Sequence, residues 1–134
     1  MLGCLLWPFR VAGDLFAWAY GVMYPRRRSA MLDVVGESHY QDNLRRVCGR
    51  PTAQGEDRWV SATLKPEPHN PHDPNAVVIL IGNRPVGYLA RDDARHWQPK
   101  LPARGLRVRA HITGGWQRGR SERGYYGVKI VSPG

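Results

Sequence analysis

Cysteine is nearly absent from this chain: only Cys4 and Cys48 occur in 134 residues. Two cysteines make neither a disulfide framework nor a cysteine zinc motif, which fits a reducing cytoplasm. Acidic residues are scarce as well, 11 Asp plus Glu against 20 Lys plus Arg, for a formal net charge of +9. Such an excess favours a polyanionic partner, nucleic acid or an anionic membrane surface, and says nothing about fold. Long hydrophobic runs are missing too. The most apolar stretch, Met1 to Tyr24, is interrupted by Arg10 and Asp14, whereas a membrane helix needs about 20 apolar residues. A secretory signal carries its charge ahead of its apolar region; here the nearest charge lies inside it. No internal repeat occurs, no nucleophile–base spacing stands out, and no cofactor is implied.

What is present divides into an apolar and basic extension, residues 1–30, and a compact domain, residues 31–131. The extension ends in Arg26-Arg27-Arg28. Three readings of it stay open: a loosely docked extension, an upstream misread start, and an interfacial anchor touching an anionic membrane through residues 1–28. The domain is organised around Lys65 to Ala76, where Pro66, Pro68, Pro71 and Pro74 fix φ and remove backbone donors. Each proline also pushes the preceding residue toward extended geometry. The result is a stiff loop that displays His69, Asn70, His72 and Asp73, with Asx-turns expected at Asn70 and Asp73.

Around that loop the pattern predicts short strands. Met31 to Val35 ends at Gly36. Glu37 to Tyr40 turns into a helix over Asp42 to Cys48, with Asp42 as cap, Gly49 as stop and Cys48 as a small core residue. Arg50 to Arg58 reads as a polar loop. Strands follow over Trp59–Leu64 and Ala76–Ile81, the latter paired through Gly82-Asn83 with Pro85–Leu89. Asp92 and Asp93 start a second helix through Trp97, by cap and dipole. Leu106, Val108, Ala110 and Ile112 alternate with Arg107, Arg109, His111 and Thr113, a half-buried strand with a basic outer face. Its partner is Tyr125–Val131, across a long loop that holds Arg118, Arg120, Arg123 and an exposed-looking Trp116. The expected fold is mainly β with two short helices, a small antiparallel six-stranded OB-like barrel.

Val34-Val35-Gly36 with Tyr40, the loop Glu67-Pro68-His69-Asn70-Pro71-His72-Asp73-Pro74-Asn75-Ala76, and then Val86-Gly87-Tyr88-Leu89 resemble the HIRAN domain over about residues 31–131. The ending, Ile112-Thr113-Gly114-Gly115-Trp116 to Gly124-Tyr125-Tyr126-Gly127, is similar to small standalone bacterial members. Eukaryotic members are attached to Snf-type translocases that remodel stalled replication forks. The resemblance implies a modified OB-fold, with no chemistry of its own, that grips the 3′-hydroxyl end of single-stranded DNA. In it Asp73 matches the carboxylate that accepts the terminal sugar hydroxyl and Asn70 a loop residue at the same pocket. Tyr40 matches an aromatic packed on the end nucleotide, and Tyr88 lies beside it. Ser38 and His39 stand where animal members carry arginine and tyrosine, and His72 where they carry tyrosine. Phosphates are then left to Arg107, Arg109 and the arginines of the 118–123 loop, with Trp116 beside them; the alternative for these is a solvated face. Two other function classes stay open: a metal-dependent hydrolase using His69, His72 and Asp73, with His39 or His111 completing a set, and a membrane-tethered interaction domain.

Overall fold

The computed structural model describes residues 30–133, so the extension expected over residues 1–30 lies, but for Ala30, outside the described residues. Eight strands and two helices follow in order: β1 (Met31–Val35), α1 (Gln41–Cys48), β2 (Glu56–Pro66), β3 (Val77–Ile81), β4 (Arg84–Leu89), α2 (Arg91–Trp97), β5 (Leu106–Gly114), β6 (Gln117–Arg118), β7 (Glu122–Arg123) and β8 (Tyr126–Val131). Six of them close an antiparallel barrel in the order β1-β4-β3-β2-β5-β8, and β6 and β7 form a separate hairpin. Closure matters for so small a sheet, because no edge is left unpaired.

The alternation read from the sequence becomes the inside and outside of this barrel. Cross-strand partners Leu32↔Ile130, Val34↔Leu89, Leu64↔Ile79 and Ile112↔Val128 point inward and are buried. Each such side chain taken out of water stabilises the fold by about 1.5–3 kcal/mol. Leu44 of α1 and Ala94 of α2 join the same core. Cys48 packs against it, and burial, followed by the Glu56 carboxylate, pushes its thiol pKa up despite the opposing Arg58. That is the chemistry of a packing residue, since a reactive thiol needs a depressed pKa.

Several boundaries differ from the sequence reading. Strand β2 starts at Glu56, inside the stretch read as polar loop, because Glu56, Asp57 and Arg58 pair with Gly114, Thr113 and Ile112 of β5. Helix α1 starts at Gln41 with Tyr40 at its cap position, and no side chain caps it. Asp42 therefore acts only as a first-turn charge on the helix dipole. Helix α2 starts at Arg91 after Ala90, again without a side-chain cap, and passes into a 3-10 turn over Gln98–Lys100. The 114–124 loop is in part the β6–β7 hairpin, and Trp116 is half-buried. Two glycines let the aromatic rings of this region pack closely. Gly115 has φ +65 and lies flat under the Tyr126 ring, and Gly124 lies under the Trp116 indole, where any Cβ would overlap the rings.

Candidate nucleic-acid interface

The proline loop is held by its own polar atoms. Asn70 Oδ1 accepts from the backbone N–H groups of His72 (2.9 Å) and Asp73 (3.2 Å), and Asp73 Oδ1 accepts from Asn75 N–H (2.9 Å). These are the expected Asx-turns. Asn70 Nδ2 donates to Glu67 Oε1 (3.1 Å), and Glu67 N–H donates to Ala76 O (2.9 Å), closing the loop at its base. Gln98 reaches over from the turn after α2 and donates to Pro74 O (2.7 Å). With both ends of its amide engaged, Asn70 shapes the loop more than it offers itself to a ligand. Asp73 differs: Oδ1 is engaged, and Oδ2 has no partner among the described residues.

Tyr40 arrives from the other side. Gly36, at φ +81, ends β1, and a 3-10 turn over Glu37–His39 follows. Its bonds His39 N–H to Gly36 O (3.0 Å) and Tyr40 N–H to Glu37 O (2.9 Å) swing Tyr40 against the barrel wall. There its ring lies 6.5 Å from that of Tyr88, tilted by 48°. Tyr88 sits on β4 directly across from Val35 of β1, so both occupy the outer face. Val35 stays 45% exposed, an apolar surface left open beside two phenol rings.

Between loop and wall lies a hollow of about 370 Å³, lined by Tyr40, Asn70, His72, Asp73, Tyr88, Val35, Ala76, Leu89 and Arg91. That volume lies in the range of small-ligand sites. Five residues named from sequence thus share one cavity. His39 is exposed next to it without lining it. Arg107 and Arg109 lie on another wall, paired across β5–β2 with Thr63 and Ser61. On that wall Arg109 covers the Trp59 ring (4.8 Å), which stacks on His111 (4.4 Å), and His111 bonds Asp57. Trp116 and Arg118 stack on each other, 5.1 Å apart, at the β6–β7 hairpin. Among the described residues no group of three or more His, Cys, Asp and Glu side chains is arranged to hold a metal ion. His69, His72 and Asp73 therefore do not converge as ligands.

Sequence reasoning missed Arg91, the cation of the hollow. It stands three residues after Tyr88, at the junction of β4 and α2; a basic residue two positions after the Val-Gly-Tyr-Leu strand was the available signal. Glu67 was also missed as the acceptor that holds Asn70 in the loop. Burial first, then the Glu67 carboxylate and the Tyr40 phenol, raise the Tyr88 pKa well above the ordinary phenol range. The folded state thus keeps the Tyr88 proton after an unfolded chain would release it. That stabilisation is complete below pH about 10, the ordinary tyrosine value, and is lost as pH rises beyond it. Tyr88→Phe is expected to show a shallower loss of stability above that pH and one fewer late-titrating phenol in an alkaline absorbance titration. An unchanged late fraction would mean that Tyr88 ionises freely.

The arrangement offers an apolar floor, two phenol rings, an imidazole, one carboxylate with a free oxygen and one guanidinium. Together these suit the flat base, the sugar hydroxyl and the phosphate of a nucleotide. Among the described residues no helix is long and apolar enough to cross a membrane. The profile of the HIRAN domain family matches residues 29–122, well over half of the chain. Strand β8, which seals the barrel, lies beyond the match. No curated protein and no solved structure matches the chain.

Proposed function

The chain belongs to the HIRAN domain family, whose members are nucleic-acid-binding modules, and from that premise we propose that its hollow holds the free 3′-hydroxyl end of single-stranded DNA. The observation that carries this reading is Asp73, which lines the same cavity as Tyr40 and has one carboxylate oxygen without a partner among the described residues. A carboxylate accepts a hydroxyl proton and repels a phosphate, so it favours a strand that ends over one that continues. Tyr40, with Tyr88 behind it, gives the terminal base a stacking surface that does not select its identity. His72 supplies a second ring from the loop side. Arg91 takes the phosphate joining the last two nucleotides, a contact that positions without reading sequence. Asn70 and Glu67 hold the loop so that Asp73 points at the sugar.

In this reading the module binds and does no chemistry. A test separates end-binding from charge attraction: equal amounts of one sequence as a linear strand and as a covalently closed circle. The linear form is expected to bind tighter at every salt concentration. Equal binding would mean that the protein takes the backbone anywhere along its length.

A further inference from the structure

The β6–β7 hairpin stands apart from the barrel sheet yet is anchored at its root and flank. Gln117 N–H donates to Thr52 O (2.8 Å), Gly124 N–H to Trp116 O (2.9 Å), and Arg118 Nε to Ala53 O (3.3 Å). The arm is thus fixed on the loop that follows α1. Tyr126, just after the arm, ties both ends of α1 to the same place. Its N–H donates to Gln41 Oε1 (2.8 Å) and its hydroxyl to Gly49 O (3.2 Å). Helix α1 begins directly after Tyr40, a wall of the hollow, and its eight residues span about 12 Å. Hollow, helix and arm therefore follow one another as connected parts.

That succession is basic. Arg45, Arg46 and Arg50 are exposed along and just past α1, and Arg118, Arg120 and Arg123 are exposed on the arm. Asp42 and Glu122 are the acids on the same two elements. Arg120 and Arg123 make no ion pair or side-chain hydrogen bond among the described residues. Exposed cations without partners on a hairpin anchored at its root are placed to meet phosphates.

We infer that the arm is a second contact of this module: it takes phosphates of the single strand upstream of the end held in the hollow, with α1 as the surface between. This rests on the end-binding reading and adds to it a minimum strand length. A dinucleotide fills the hollow without reaching the arm, whereas a longer strand engages both.

The test uses the full chain and Arg120→Gln/Arg123→Gln, two exposed positions outside the hollow. The ligands are a dinucleotide and a strand of about 15 nucleotides, the upper end of what one such barrel covers. The longer strand is made with a 3′-hydroxyl and with a 3′-phosphate. Each phosphate contact on a single strand contributes about 0.7 to the slope of log K against log salt. The double variant is therefore expected to flatten the slope for the longer strand by about 1.4 and to leave dinucleotide affinity unchanged. An unchanged slope, or equal losses on both lengths, would overturn the inference. The two ideas also part cleanly. Equal wild-type affinity for both 3′ ends would remove end recognition, while a flattened slope would still uphold the arm as a phosphate contact.

Discussion

Replacing Asp73 by alanine is expected to weaken binding to a strand ending in a 3′-hydroxyl by about 10- to 150-fold. That range corresponds to the roughly 1.5–3 kcal/mol of a hydrogen bond to a charged group. Binding to the same strand with a 3′-phosphate is expected to change little or to improve, because the variant removes a repelling charge. The comparison between ends carries the argument, since Asp73→Ala also deprives Asn75 N–H of its acceptor and loosens the loop for any ligand. Asp73→Asn separates the two effects: it keeps an acceptor for Asn75 and removes the charge. An asparagine variant that behaves as wild type toward both ends would mean that the carboxylate serves only the turn.

The second large effect belongs to Tyr40. A base stacked on an aromatic side chain contributes about 1–3 kcal/mol. Tyr40→Ala is therefore expected to lose about 5- to 150-fold in affinity, on 3′-hydroxyl and 3′-phosphate strands alike. Tyr40→Phe should retain most of the binding, because the ring is what the base meets. The two positions thus fail in different ways: Asp73 changes the ratio between ends, and Tyr40 changes both affinities together. If Tyr40→Ala altered the ratio instead, the ring would be reading the end group and its assigned role would be wrong. Tyr40 sits at the cap of α1, so circular dichroism of each variant should accompany the titrations.

How far these assignments were readable beforehand depends on how local their causes are. The loop at 66–74 was legible because proline acts within one residue of itself, and the Asx-turns at Asn70 and Asp73 needed only neighbouring backbone. The barrel strands were legible where apolar and polar residues alternate, as in Leu106 to Thr113. Causes that lie far along the chain were not. The start of β2 at Glu56 is set by β5, more than fifty residues away, and its polar residues carry no strand signal of their own. Trp116 reads as exposed because its cover comes from Gly124 and the Thr52 segment. Asn70 reads as a ligand contact, yet its amide is engaged by Glu67, His72 and Asp73. Arg91 joins the hollow only because β4 ends there and α2 begins.

The chemistry of the hollow follows from which parts are local and which are not. The loop brings Asp73 and His72 as a preformed unit, so little conformational entropy remains to be lost when a ligand arrives. The barrel brings Tyr88 and Val35 by register, and the short turn after β1 brings Tyr40. The Trp59–His111 stack with Arg109 belongs to another wall, outside the lining of the hollow.

The most direct measurement is a titration of the unmodified protein with two otherwise identical single strands, one ending in a 3′-hydroxyl and one in a 3′-phosphate, at several salt concentrations. A preference for the hydroxyl end that persists as salt rises is the predicted result. Equal affinities that fall together with salt would contradict it.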